Sequence, residues 1–271
     1  MQIQVKLPSF EGIGAGQTAT CRLPIGRRYH ELQLVYSGVT LAQMTEIRII
    51  ANQKVIHRYS ATERDVMNQF FGLTAAAGIL RLPFDRLFLK QRQAEEVTAL
   101  NTGSKDKNGR FIGSLHVEID VAAAAVGTAL ALYATQSNAV AGGPGVVGHI
   151  RKYSRTAAGA GEYEVSDLHF NTPTAQAINS LFINDAGNLN GLVIERGLYK
   201  VFERDTALNE LIQSDHGRVP QTNWWVYDPA EKGYGGEPLD LVGYSDFRLR
   251  LDMAAGATMP IIVEYLGQLG D

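Results

Sequence analysis

Histidine, the side chain best suited to metal binding and acid–base catalysis near neutral pH, occurs six times along the chain. No two histidines stand two or four residues apart, the spacings that place two imidazoles on one metal ion. The pattern therefore predicts no metal site built from neighbouring histidines, and His116 is expected to be an exposed residue on the polar face of a strand. The six are His30, His57, His116, His149, His169 and His216.

Cys21 is the single cysteine, which excludes an intrachain disulfide and a zinc site built on two thiolates. It would act as a nucleophile only beside a histidine, so a small buried residue is the favoured interpretation. The chain contains no G-x-S-x-G elbow, Walker loop, H-E-x-x-H helix or EF-hand loop. The sequence thus predicts no enzyme, no catalytic residue and no cofactor-binding residue, and it leaves metal ligands unassigned.

Residues 143–148, Gly-Pro-Gly-Val-Val-Gly, fit the dinucleotide-binding pattern G-x-G-x-x-G. That pattern binds a pyrophosphate only when it opens a helix, and the following residues 149–155 soon reach the small-residue segment 156–161. We therefore interpret residues 143–148 as part of a linker.

Trp224 and Trp225 open a strand-like run that is followed by a loop at residues 230–238. Adjacent aromatic residues can form a platform for a sugar, but neighbours on a strand point to opposite faces. The sequence favours one buried tryptophan and one in an interface, and it leaves the sugar platform as the alternative.

The composition is that of a folded protein: 271 residues, 45% hydrophobic, with a net charge of −3. It lacks the broad basic footprint expected of a protein that binds nucleic acid. The charge is uneven, since residues 1–140 carry 15 basic and 11 acidic side chains while the remainder carries 10 and 17. This asymmetry would help two unlike surfaces to attract.

Residues 121–150 contain no charged side chain, but only the first 14 or so are continuously apolar. A transmembrane helix needs about 20, so we expect none here. The first residues also lack a basic patch followed by an apolar run, which predicts no secretory signal and favours synthesis in a reducing cytoplasm.

An internal repeat sets the architecture that must carry these residues. Residues 114–125 match residues 246–257 at an offset of 132, and both segments alternate apolar and polar residues as half-buried strands do. The register extends without a gap until Tyr133 meets Tyr265, which indicates a hairpin in each half.

A second match aligns residues 55–61 with residues 201–207 at an offset of 146. A short amphipathic helix is predicted after each strand, with Thr62 and Asp65 as a capping box for the first. The residues predicted to form the apolar helix faces are Val66, Met67, Phe70 and Phe71 in the first half, and Leu208, Leu211 and Ile212 in the second.

These features predict an all-β protein of two tandem eight-stranded jelly-roll sandwiches, each with a short helix in a loop. An immunoglobulin-like sandwich is less suitable, because the Cys and Trp pattern is missing and the helix would be unexplained. The predicted divisions are an N-terminal arm (1–13), a first jelly roll (14–134), a linker (135–147) and a second jelly roll (148–271). The strands expected in the first are 17–23, 31–36, 46–52, 54–59, 79–83, 87–89, 115–121 and 129–133.

The chain resembles the major capsid protein of corticoviruses, tailless marine phages with an internal membrane. The resemblance spans nearly the whole chain and is most specific in its two terminal segments. The segments that carry it are residues 23–29 running into 32–40, residues 151–155 leading into 165–168, and the ending formed by 249–252 and 261–267.

This resemblance implies a structural protein of the virion whose double jelly roll forms pseudo-hexagonal homotrimers. The trimers would tile an icosahedral shell around a lipid vesicle. The implied partners are further copies of the chain, a vertex (penton) protein, and viral membrane proteins or lipid, without sequence-specific binding to nucleic acid. No cofactor is required, and a structural calcium ion is possible at the level of the family, without named ligands.

Large apolar residues outside clean strand patterns are the predicted centre of the trimer contact. They are Phe70, Phe71, Trp224, Trp225 and Tyr234. The competing hypotheses are a carbohydrate-binding or carbohydrate-cleaving double jelly roll and an amidase built on tandem jelly rolls. No assembled pair of acid and base supports the amidase.

Overall fold

The computed structural model describes residues 1–234 and 237–270. Gly235 and Gly236, within the predicted loop 230–238, and Asp271, the last residue of the predicted second jelly roll, lie outside the described residues. The described chain forms two β-sandwiches, and three α-helices of ten residues or fewer lie between strands.

The first half contains nine strands and two α-helices in the described residues, with three-residue 3-10 turns at Leu41–Gln43 and Glu96–Thr98. In chain order they are β1 (Ile3–Lys6), β2 (Thr18–Arg22), β3 (Arg27–Ser37), β4 (Met44–Ala51), β5 (Lys54–Tyr59), α1 (Ala61–Phe70), β6 (Ile79–Pro83), α2 (Arg92–Glu95), β7 (Leu100–Asn101), β8 (Leu115–Val121) and β9 (Ala129–Asn138).

The second half repeats this plan with nine described strands and one helix. In chain order they are β10 (Val147–Ala157), β11 (Gly161–Val165), β12 (Ala177–Asn184), β13 (Leu189–Arg196), β14 (Tyr199–Asp205), α3 (Thr206–Asp215), β15 (Trp224–Tyr227), β16 (Leu239–Asp240), β17 (Phe247–Met253) and β18 (Ala257–Gly267).

Three sheets connect these strands. The N-terminal sheet has the order β1-β9-β3-β6 with β7 on β3, and the C-terminal sheet has the order β11-β17-β13-β14. The shared sheet runs β15-β12-β18-β10-β5-β4-β8-β2, with β16 on β12, and so belongs to both sandwiches. Each sandwich has nine described strands, one of them only two residues long, and their interleaved order forms a jelly roll, which confirms the predicted fold class.

Alternating side chains explain why each sandwich closes on a core. Along β8 every second residue is buried, and β17 repeats the pattern from Phe247 to Met253. The buried apolar residues fall into two clusters, one for each sandwich. Phe182, Val226 and Ile262 belong to the second half of the chain but pack into the first cluster, so the two cores meet at the sandwich boundary.

The internal repeat is real, but its predicted register needs two corrections. Tyr133 points out of the first sandwich while Tyr265 is fully buried in the second core, so the alignment slips by an odd number of residues in the hairpin turn. The strand-and-helix match also shifts from an offset of 146 to 145, because Ser60 and Asp205 are the two helix N-caps.

Local predictions near α1 also differ from the structure. The capping box uses Ser60 and Glu63 rather than Thr62 and Asp65, since the helix begins two residues earlier than its apolar pattern indicates. Residues 87–89, predicted as a strand, form a turn, and the two-residue strand β7 pairs with β3 instead.

Strands also occupy parts of the predicted arm and linker. Strand β1 lies within the predicted arm of residues 1–13 and pairs with β9 at the edge of the N-terminal sheet. Strand β9 extends to Asn138, four residues into the predicted linker, because the longer strand gains partners from both β1 and β3.

Candidate functional site at the junction of the two sandwiches

The two sandwiches are joined edge to edge by backbone pairing. Strand β5, at the edge of the first sandwich, pairs in parallel with β10 of the second, with Ile150 opposite His57. An unpaired strand edge is a template for association, and here the chain satisfies its own edge. The two sandwiches are therefore held together by backbone pairing between their edge strands.

Helix α1 reinforces the pairing by packing across the boundary. The Ser60 hydroxyl accepts a hydrogen bond from the Glu63 amide at 3.2 Å, which starts the helix so that its last turn reaches β12. There Phe70 and Phe71 pack edge-on against Phe182, with ring centroids 5.4 and 6.1 Å apart. The second-half side chain Phe182 is thereby fully buried.

An ion pair also connects α1 to the second sandwich. The Glu63 carboxylate lies 2.6 Å from the ammonium group of Lys152 on β10. Glu63 is 7% exposed. This ion pair fixes the first turn of α1 against the second sandwich, whereas Phe70 and Phe71 fix its last turn.

Polar side chains line a small cavity between the two cores. The Arg86 Nε donates to Asn179 Oδ1 at 2.7 Å, and Asn179 Nδ2 donates to Glu264 Oε2 at 2.8 Å. The cavity has a volume of about 20 Å³, which suits a single water molecule. Arg64 Nη1 and Arg86 Nη2 line this region without a protein acceptor and would be satisfied by such a water.

Burial at the junction holds two histidines in the neutral form. Desolvation, helped by the nearby Arg64 charge, lowers the pKa of His57 to about 3. Desolvation also lowers the pKa of His149 to about 4, although its Nε2 lies 2.7 Å from the Gln268 carbonyl oxygen. Neither ring is placed to exchange protons with solvent near neutral pH.

A buried ion pair completes the junction. The Arg218 Nε lies 2.7 Å from Asp228 Oδ2, and both side chains are at most 3% exposed. The Arg218 guanidinium also lies over the Phe71 ring, 5.2 Å from its centroid. Burial raises the pKa of the Asp228 carboxyl, which Arg218 opposes.

The repeat allows each junction residue to be matched with its counterpart in the other half. The bulges at Ile49 and Ile194 and the two N-caps align β5–α1 with β14–α3 at an offset of 145. Core-facing residues, strand pairs and bulges align β3 with β12 at an offset of 149, and β9 with β18 at an offset of 129. In particular, Phe182 corresponds to Gln33, Val226 to Arg81 and Asp228 to Pro83.

The counterparts of the two apolar residues are polar and less buried. Gln33 and Arg81 are half-buried, whereas Phe182 and Val226 are at most 2% exposed. On α3, Leu208 is 45% and Leu211 is 59% exposed, so the predicted apolar face does not turn toward the core. The helix instead turns Asn209 and Gln213 inward, where both amides donate to the Val226 carbonyl.

The predicted centre of the trimer contact is wrong for most of its members. Phe70, Phe71 and Trp225 are at most 7% exposed and serve contacts within the chain. Trp225 packs edge-on against Phe202 in the second core, while Trp224 packs partly buried against the first cluster. Two tryptophans on opposite faces form no common sugar platform; Tyr234 remains 62% exposed.

The other chemically suggestive residues are placed apart from one another. Cys21 is fully buried as predicted, its thiol donates to the Pro8 carbonyl at 3.2 Å, and desolvation raises its pKa to about 11. Residues 143–146 form a loop that leads into β10 rather than a helix. His116 is half-buried beside Glu118 on the outer face of β8.

Metal-ligating side chains are dispersed over the fold. Within residues 1–234 and 237–270, no three His, Cys, Asp or Glu side chains are grouped to hold a metal ion. No helix among these residues has the length and apolar character needed to span a bilayer.

Sequence reasoning missed the junction itself. Arg64, Arg86 and Glu264 are charged side chains, which are usually exposed, and Asn179 lies on a strand buried on both faces. The one available signal was the continuous apolar character of residues 181–183, since a strand buried on both faces loses its alternation.

Two protein-family models match the chain, and their boundaries follow the two sandwiches. The model of the viral coat protein P2 N-terminal domain matches residues 4–137, and the model of the P2 C-terminal domain matches residues 147–269. Together they cover almost the entire chain.

Comparison with individual proteins also finds a similar viral coat protein. The chain is 25% identical to the major capsid protein P2 of Pseudoalteromonas phage PM2, over 98% of this chain and 97% of that protein. The crystal structure of P2 from bacteriophage PM2 superposes with a TM-score of 0.88 at 23% identity, over 98% and 97% of the two chains.

More distant structures share the fold alone. The STIV MCP superposes with a TM-score of 0.70 at 10% identity, over 99% of this chain and 97% of that one. The Faustovirus major capsid protein superposes with a TM-score of 0.61 at 7% identity, over 98% and 90%.

Proposed function

The chain belongs to the viral coat protein P2 family, and from this membership we propose that it forms pseudo-hexagonal homotrimers that tile an icosahedral shell around an internal membrane. A coat protein is structural, resides in the virion and associates with its own kind. The proposal adds the trimer, the lattice and the lipid beneath it.

The observation that supports the trimer is the edge-to-edge join of two similar sandwiches in one chain. A contact between two unlike surfaces generates a ring when its rotation closes. Three chains of two sandwiches each supply six similar units, which is the number that a pseudo-hexagonal tile requires.

The proposed partners beyond the trimer follow from the same shell. Neighbouring trimers would meet through weaker and more polar contacts, a vertex protein would fill the five-fold positions, and viral membrane proteins or lipid would lie beneath. Attraction between the basic first half and the acidic second half would favour contacts between unlike sandwiches, although salt screens it.

Static light scattering of the purified chain tests the trimer against the subunit mass of 29.6 kDa. We expect a stable species of three times that mass. A monomer at every concentration, with and without millimolar calcium, would contradict the proposal. A mass that rises to the trimer only with calcium would support the structural ion as well.

A further inference from the structure

The strand directions place the turns of both sandwiches at two opposite ends of the molecule. Strands β5 and β10 run parallel, while the hairpins and the other neighbours in each sheet run antiparallel. The β4–β5 turn, the β13–β14 turn and the connection at residues 139–146 therefore share one end, which we call the linker end. Helices α1 and α3 and the β8–β9 turn lie at the opposite end, which we call the helix end.

The β13–β14 turn carries large apolar side chains into solvent. Arg196 pairs with Tyr199, which leaves Gly197 and Leu198 as the two turn residues. Gly197 has a φ of 62°, the conformation that a type II′ turn requires at its first position. The second position readily takes Asn, Asp or Ser, yet Leu198 is 98% exposed and Tyr199 is 74% exposed. Turn geometry therefore does not account for the leucine, which is available to an apolar partner.

The matching turn in the first sandwich has polar residues at its tip. Asn52 and Gln53 correspond to Gly197 and Leu198 at the offset of 145, and both are exposed. Asn52 holds a neighbouring loop, because its Nδ2 donates to the Phe111 carbonyl at 2.7 Å. The Phe111 side chain is 42% exposed. Each sandwich thus presents a large apolar side chain at the linker end.

Exposed lysines surround the Phe111 side chain. Lys54, Lys105 and Lys107 form no ion pair with any described residue. The Lys105 ammonium lies over the Phe111 ring, 4.7 Å from its centroid. The one carboxylate among them, Asp106, accepts two backbone N–H groups of its own loop at 2.8 Å. The first sandwich therefore presents uncompensated positive charge at the linker end.

The charges beside Leu198 are balanced within the second sandwich. Lys200 pairs with Glu203 at 2.8 Å, and Arg248 pairs with Asp246. The second sandwich thus contributes an apolar tip, and the first contributes lysines and a phenylalanine. Together they form an amphipathic surface at one end of the molecule.

The turns at the helix end have a different composition. They contain no lysine, and their one arginine is Arg218, which is buried in its ion pair with Asp228. An anionic surface would therefore be attracted to the linker end rather than to the helix end. The turns compared are residues 7–17, 38–43, 71–78, 122–128, 158–160, 185–188, 216–223 and 254–256.

We propose that the linker end binds an anionic lipid bilayer, with Leu198 and Tyr199 inserted among the headgroups. Phe111 adds a second apolar contact, and Lys54, Lys105 and Lys107 bind lipid phosphates. Apolar tips beside lysines are what interfacial binding requires, since the apolar groups enter the boundary of the acyl chains while the cations remain at the headgroups. This assignment rests on the proposed internal membrane and names the side chains that contact it.

Flotation of the full-length protein with lipid vesicles tests the assignment. We expect binding to vesicles of phosphatidylcholine that contain phosphatidylglycerol, and weaker binding at high salt. Leu198→Ser should lower the partition coefficient by about tenfold, because one leucine side chain is no longer transferred to the bilayer. The matched control is Val126→Ser, since Val126 is 82% exposed in the β8–β9 turn at the helix end. It should leave the partition coefficient unchanged.

A triple variant measures the contribution of the lysines. Lys54→Gln, Lys105→Gln and Lys107→Gln together should lower the partition coefficient for the acidic vesicles by at least about tenfold. Binding to pure phosphatidylcholine vesicles should stay as weak as that of the parent protein. An unchanged affinity for acidic vesicles would overturn the role of the lysines.

An environment-sensitive fluorophore reports which end enters the lipid. A label on Leu198→Cys should shift its emission to shorter wavelength when acidic vesicles are added, and a label on Val126→Cys should not. Cys21 is fully buried and is retained in both variants. A shift at position 126 without one at position 198 would overturn the orientation.

The outcomes separate the lipid surface from the trimer. Trimers that bind no vesicle would overturn the lipid surface and leave the proposed trimer intact. A label at position 198 that shifts on trimer formation without lipid would assign the tip to a contact between copies and overturn the lipid surface. A monomer at every concentration that binds acidic vesicles through Leu198 would overturn the trimer and support the lipid surface.

Discussion

Helices α1 and α3 occupy the same place in two similar sandwiches, yet one is buried and the other is largely exposed. α1 carries Phe70 at the boundary between the sandwiches, whereas the corresponding position on α3 is Asp215, which is exposed. The sandwiches share strand order and bulge positions, so the difference arises from what covers them. A repeated fold can thus keep one copy of a contact within the chain and leave the other copy open.

The largest difference in stability between matched substitutions in the two sandwiches is expected at Phe182. Replacing it with alanine should lower the free energy of unfolding by about 3–5 kcal/mol, because the ring is fully buried against Phe70 and Phe71. Gln33→Ala, at the half-buried counterpart position, should cost about 1 kcal/mol or less in the monomer. Chemical denaturation of both variants measures the difference, and equal losses would show that the two positions are packed alike.

The buried ion pair is expected to have the next largest effect. Asp228→Ala leaves the Arg218 charge buried without its partner and should cost about 3 kcal/mol. By comparison, Arg81 of the ion pair with Glu31 on the N-terminal sheet is 40% exposed at the side chain, so Arg81→Ala should cost about 1 kcal/mol or less. Thermal unfolding of the two variants should rank them in this order, and the reverse ranking would contradict the assignment.

Acid should weaken the junction before it weakens the rest of the protein. His57 and His149 have folded-state pKa values of about 3 and about 4, below the unfolded value of 6.5, so the unfolded state binds more protons between these limits. Stability is fully present above pH 6.5 and falls as the pH decreases toward 4. We expect a loss of about 2 kcal/mol between pH 7.5 and pH 5.5.

A variant isolates the contribution of the first histidine. His57→Gln cannot titrate, so its stability should decrease less steeply than that of the parent protein over the same pH range. The counterpart of His57 in the second half is Phe202, so we expect no matching contribution from that position. An unchanged slope in His57→Gln would assign the acid sensitivity to other groups.

Substitutions at the two helix N-caps are expected to have the smallest effects on stability, and effects of similar size in the two halves. Ser60→Ala and Asp205→Ala each remove a side chain that accepts a hydrogen bond from the third residue of its helix, which should cost about 1 kcal/mol. Denaturation midpoints measure both. A much larger loss for Ser60→Ala would show that α1 holds the two sandwiches together as well as capping itself.

Much of the architecture could be predicted from the alternation of apolar and polar residues along strands and from the internal repeat. Strands β5, β6 and β8 have the predicted boundaries, because a half-buried strand shows its period of two directly. The internal repeat indicates two similar units from residue order alone, and the resemblance to corticovirus capsid proteins agrees with the family match over both. Registers were less certain, since a single inserted residue in a turn exchanges the two faces of a strand.

The sequence by itself determined that this protein has two similar β-sandwiches, each with an amphipathic helix after an edge strand, since local periods and residue types report those features. Only the tertiary structure decided which large apolar residues are exposed. Phe70, Phe71 and Trp225 are aromatic residues of the kind found in interfaces, but Phe70 and Phe71 are buried where α1 meets the second sandwich, and Trp225 is buried in the second core. Burial depends on contacts between residues far apart in the chain, so a helix such as α3 exposes its leucines when no second sandwich covers them.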